Sequence, residues 1–191
     1  MPDFNLQVAH YHQDGPNCWW YVHRMIHDYH TTSGIGLAKV IGALGAVAEA
    51  PMVGLPVDQV PTVLGQHHYK QLSGAEFDMK TTYEDVIVLL RSKGPLYITC
   101  YNTFDWPAGH ALVLKGVVDN NKPEGLAAFP DDKQLVVLLD PAAKDKKSGG
   151  SLNWPLDYVK LLLDLPKNES HTPFWYDGEN RRMQHHPKQA K

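Results

Sequence analysis

Four residues in this chain have the types and the order that attack on an amide carbonyl needs. Cys18 opens an apolar-periodic segment after the turn Asp14-Gly15-Pro16-Asn17, and Gln13 stands just before that turn. A thiol at a helix N-terminus faces unsatisfied backbone N–H groups and the positive end of the helix dipole. Both favour the thiolate, which is the nucleophile. A side-chain amide just upstream can donate a hydrogen bond to the oxyanion that forms as thiolate adds to a carbonyl. Such a nucleophile requires a base, and the base requires a group that orients it. His110, behind Gly109 and at the head of an apolar run, is the candidate base; Asp140, which ends QLVVLLD and precedes Pro141, is the candidate orienting group. A carboxylate on one imidazole nitrogen fixes the tautomer and stabilises the imidazolium.

The elements that must hold these residues can be read in outline. Cys18, Val22, Met25, Ile26 and Tyr29 share one face at helical spacing, so a helix is predicted over 17–29, with Asn17 as N-cap. Further helices are predicted over 37–50 and about 57–64, and one after the capping-box pattern Thr81-x-x-Glu84, stopped by Gly94-Pro95. A short strand is predicted over 4–11, and three more over 96–101, 110–118 and 134–140, apolar enough to be central. Pro155 suits the first turn of a final helix over 155–164. Helices first, then strands, then one helix make an α+β pattern. If strands 110–118 and 134–140 pair antiparallel, the start of one lies beside the end of the other, and His110 meets Asp140. Residues 1–165 are expected to form the catalytic domain and 166–191 a partly flexible C-terminal extension.

Composition narrows the alternatives. The chain has 191 residues, 18 basic against 21 acidic side chains and a net charge of -3, which points away from nucleic acid as a partner. The two cysteines, Cys18 and Cys100, do not make a disulfide framework. Cys100 falls on the Leu96/Ile98 side of its strand and is expected in the core. No signal peptide is expected from MPDFNLQVAHYH, and no apolar run is long enough for a membrane span. The expectation is a soluble protein, cytoplasmic or delivered into a target cell, with no membrane partner. His23, His27 and His30 recur at i, i+4, i+7, but HRMIH lacks the glutamate of a zinc-protease helix, so they are read as a polar solvent-side stripe. His67-His68 and His185-His186 are read as loop or tail pairs; neither a metal nor a cofactor is expected. Trp19, beside the nucleophile, and Trp106, before His110, are the candidates for substrate contact.

Taken together, the segments VAHYHQDGPNCWW, TTYEDVIVLLRSKGPLYITCYN, GHALVLKGVV and VVLLDPA, which span residues 8 to 142, resemble the papain-like cysteine peptidase superfamily. The likeness is to its compact bacterial branch, the bacteriocin-processing peptidase and AvrRpt2-like effector protease types. The resemblance implies an N-terminal helical lobe whose nucleophile helix packs on a C-terminal antiparallel sheet. It also implies a catalytic Cys18, His110 and Asp140, with an oxyanion hole formed by Gln13 and the Cys18 backbone N–H. Gln13 stands five residues before Cys18, one fewer than in papain, and Asp140 stands where papain uses asparagine. The implied activity is hydrolysis of peptide bonds in a specific protein substrate by a bacterial effector or toxin domain, with a cognate inhibitor or immunity protein as a possible partner. The same residues suit a cysteine-dependent amidase, glutamine deamidase or transglutaminase-like enzyme. A catalytically inactive binding module on this scaffold is the non-enzymatic alternative.

Overall fold

The computed structural model describes residues 3–13, 17–32, 55–101, 109–119, 134–143, 149–168 and 171–177. The predicted helix over 37–50, Trp106 and His185-His186 lie outside them. The described chain runs β1 (Phe4–Asn5), α1 (Cys18–Thr32), a 3-10 turn (Val57–Gln59) leading into α2 (Val60–Gln66), β2 (Tyr69–Gln71), α3 (Tyr83–Lys93), β3 (Leu96–Cys100), β4 (His110–Asp119), β5 (Gln134–Leu139), β6 (Ser151–Trp154), α4 (Leu156–Leu162) and β7 (Phe174–Tyr176). The strands form one sheet in the order β2-β7-β3-β4-β5-β6, antiparallel at every pairing, with β1 added beside β4.

This is the expected α+β class, with helices on both faces of the sheet. Strand side chains alternate between faces. Leu96, Ile98, Leu112, Leu114 and Leu138 meet the apolar faces of α3 and α4. Tyr97, Val113 and Leu139 meet Val22, Met25 and Ile26 of α1, with Val60 and Leu64 of α2 beside them. Double-sided burial explains why these strands read as continuous apolar runs rather than alternating ones. Val22, Met25 and Ile26 are fully shielded. Truncating Met25 or Ile26 to alanine costs about 2–5 kcal/mol, so the packing that stabilises the fold also seats the helix that carries Cys18.

Several boundaries differ from expectation, each for a physical reason. The capping box is built on Thr82 and Asp85, one residue later than predicted: Thr82 Oγ1 accepts from Asp85 N, and the Asp85 carboxylate accepts from Thr82 N at 2.9 Å. Thr81 is already committed, accepting from Asp78 N at 2.7 Å. The N-terminal strand pairs only at Phe4 and Asn5. It comes so close to β4 that a Cβ at Gly116 would meet the Phe4 carbonyl oxygen at 2.6 Å. β2, β6 and β7 were not predicted. β7 lies inside the stretch expected as an extension, yet it sits between β2 and β3 in the sheet. Among the described residues, no helix is long and apolar enough to cross a membrane.

Candidate active site

Three elements converge where α1 begins. Cys18 is the first residue of α1, so its N–H is among the leading amides that have no intrahelical partner. Asn17 takes the N-cap position through its backbone: its carbonyl accepts from Trp20 N at 3.0 Å and Tyr21 N at 3.3 Å. Its side chain is buried and, against the expected capping role, makes no hydrogen bond. His110 opens β4 directly behind Gly109, whose φ of 82° favours a residue without a Cβ. Asp140 follows the last residue of β5, and because β4 and β5 pair antiparallel the two side chains meet.

The His110 Nε2 lies 2.7 Å from Asp140 Oδ1, both residues buried. A carboxylate oxygen accepts, so Nε2 carries the proton and Nδ1 is left to face a second partner. The Cys18 side chain is within hydrogen-bonding reach of the same imidazole. Burial pushes the His110 pKa down. The hydrogen bonds to Asp140 and Cys18 and the negative charge those two groups can carry outweigh it, and the pKa is raised to about 9. The arrangement therefore favours imidazolium next to sulfur at neutral pH.

Asp140 is itself held from several sides. Its Oδ1 also accepts from Ala142 N at 2.7 Å, its N–H donates to Gly150 O at 2.9 Å, and its carbonyl accepts from His10 Nε2 at 2.8 Å. Gln13 is half-buried and tied to the same turn, its N–H donating to Pro141 O at 2.8 Å. Trp19 is partly buried and packs with Cys18 against the core between α1 and the sheet. Cys100 is fully buried, and its thiol pKa is pushed well up, by burial first and then by Cys18 and Asp140. It is a core residue opposite His110 in the ladder.

The histidines of α1 do not form the expected solvent-side stripe. His23 is buried, its Nδ1 is 3.2 Å from Tyr69 Oη, and its ring lies 4.8 Å from that of His67 and 5.9 Å from that of His27. His67 is thus packed against α1, not isolated in a loop. Among the described residues, no group of three or more histidine, cysteine or acidic side chains could hold a metal ion. Sequence reasoning missed His10 and Gly150 as neighbours of Asp140. The only signal was the position of His10 three residues before Gln13.

Compared with known protein families, residues 3–157 match the family described as papain-like cysteine protease AvrRpt2. No curated protein shows significant similarity to the chain.

Proposed function

We propose, for a chain that belongs to the AvrRpt2 family of papain-like cysteine proteases, that peptide bonds are cut by a Cys18–His110–Asp140 triad. The observation that carries this reading is the 2.7 Å contact of His110 Nε2 with Asp140, which leaves Nδ1 for Cys18. Cys18 as thiolate adds to the scissile carbonyl carbon. The resulting oxyanion is held by the Cys18 backbone N–H and the Gln13 side-chain amide. The proton on His110 Nδ1 passes to the leaving amine as the C–N bond breaks, and an acyl thioester remains. His110 then takes a proton from water, hydroxide adds to the thioester, and thiolate departs. Asp140 keeps Nε2 protonated and the ring in place through both steps. Trp19 lies next to the nucleophile, and we assign it to the substrate-contacting wall.

The family match supports a further reading, that the chain acts as an effector or toxin on one specific protein substrate. Two measurements test the proposal. Cys18 should react with iodoacetamide at pH 6 far faster than a free thiol; an ordinary rate would remove the activated nucleophile. Incubation of wild type and Cys18→Ala with a proteome, followed by sequencing of new N-termini, should give cleavages only with wild type. Mass increases of about one dalton on glutamine without new termini would replace hydrolysis of peptide bonds by deamidation.

A further inference from the structure

After β1 the chain leaves the sheet, and residues 10–13 lie along the turn that carries Asp140. His10 Nε2 is 2.8 Å from the Asp140 carbonyl oxygen, which can only accept, so that nitrogen bears the proton. The same imidazole lies against Gly150, where φ is 76° and a Cβ would run into the His10 ring. The Gly150 carbonyl in turn accepts the Asp140 N–H at 2.9 Å. The Asp140 carbonyl also accepts from Ala143 N at 3.1 Å within its own turn, so His10 and Gly150, which pack on each other, are what tie the backbone of that turn to the rest of the fold. Neither forms part of the proposed triad. What they fix is the direction in which the Asp140 side chain leaves the backbone, and so how its Oδ1 divides between Ala142 N and His110 Nε2. Three residues on, the bond from Gln13 N to Pro141 O ties the candidate oxyanion donor to the same turn.

We infer that His10 is a positioning residue: seated on Gly150, it locks the Asp140 backbone so that the carboxylate and Gln13 hold register with the Cys18–His110 pair. The inference rests on the triad proposed above. A histidine that merely anchored the N-terminal segment would affect stability alone. A positioning residue changes how strongly His110 holds its proton, and with it the reactivity of Cys18.

The test is the rate of Cys18 alkylation by iodoacetamide from pH 5 to 10, on wild type, His110→Ala, His10→Leu and His10→Gln. If wild type at pH 6 is no faster than a free thiol, the triad itself fails, and this inference with it. If wild type is fast and His110→Ala slow, the triad stands and His10 is tested alone. His10→Leu should then be slower at pH 6 by about three- to tenfold, the effect of one lost hydrogen bond. The limb of the profile set by His110 should move to lower pH, and the rate at pH 10 should not change. His10→Gln, which offers an N–H to the same carbonyl, should restore the wild-type profile. A lower thermal midpoint in His10→Leu with the profile unmoved would overturn the inference. Should His10→Leu not fold, nitrogen NMR of the wild type decides. The neutral His10 ring must be protonated at Nε2, and its signals must shift as His110 titrates; the other tautomer, or indifference to His110, overturns it.

Discussion

His110 and His23 are both buried, 7% and 9% exposed, and both touch the environment of one helix. His110 meets the thiol at the start of α1, and His23 lies five residues further along α1. Burial pushes both imidazoles toward the neutral form, yet His110 ends at about 9 and His23 at about 3. The difference lies in what each one meets. His110 has a carboxylate at 2.7 Å and a thiol. His23 has the Tyr69 hydroxyl, with His67 and His27 as further like charges on protonation and Asp28 as a weaker opposing one. Burial penalises charge at both places; the neighbouring negative charge decides whether the proton stays.

The largest way to break this contrast is Asp140→Asn. His110 loses its anion, and the cleavage mapped by new N-termini should slow on the order of a hundredfold to ten-thousandfold. The same change should flatten a stability slope. His110 binds its proton more tightly in the folded state, so its contribution is complete below pH 6.5 and is lost as pH rises through about 9. Urea unfolding at pH 6 and pH 9.5 should show wild type losing stability between the two, and Asp140→Asn losing less.

His23 gives the opposite sign. Its folded-state pKa lies below the unfolded value, so its contribution is complete above pH 6.5 and is lost as pH falls toward 3. At pH 4.5 that loss is about 2–3 kcal/mol. His23→Gln should be less stable than wild type at pH 7 but should fall less steeply on acidification. Parallel urea curves for the two proteins from pH 7 to 4.5 would show that His23 is not the residue that charges. The smallest effect sharpens the role of the phenol. Tyr69→Phe removes a hydroxyl that bonds both His23 Nδ1, at 3.2 Å, and the His23 carbonyl, at 3.3 Å. It should cost about 1 kcal/mol at pH 7 and leave the acid slope in place, because a neutral hydroxyl does not hold the imidazole charged.

The same contrast marks what could be read from the chain. The placement of Cys18, His110 and Asp140 was legible because each sits at the end of an element whose periodicity is strong, and an antiparallel pairing of two apolar runs brings the last two together. His23 was misread because helical spacing gives a face but not what covers it. Its cover comes from Tyr69 on β2 and His67 at the end of α2. β2 and β7 have three residues each and β6 four, too few for alternation to declare itself. At the start of α3 the sequence pattern pointed to Thr81 as the cap. The choice fell to Thr82 because Thr81 was needed by Asp78, a tertiary fact with no local signal. His10 and Gly150 are 140 residues apart, and nothing in either one's neighbourhood points to the other.

The strand Phe174–Tyr176 also imposes a schedule on the newborn chain. It sits between β2 and β3, pairing with Tyr69–Gln71 and, at Phe174, with Tyr97. β3, β4 and β5 can zip together as soon as they leave the ribosome, but β2 can join them only through a segment made about a hundred residues after it. Closing so long a loop is entropically slow. The sheet that holds His110 therefore keeps β3 as an open edge until residues 174–176 have been made, and their arrival joins β2 to it.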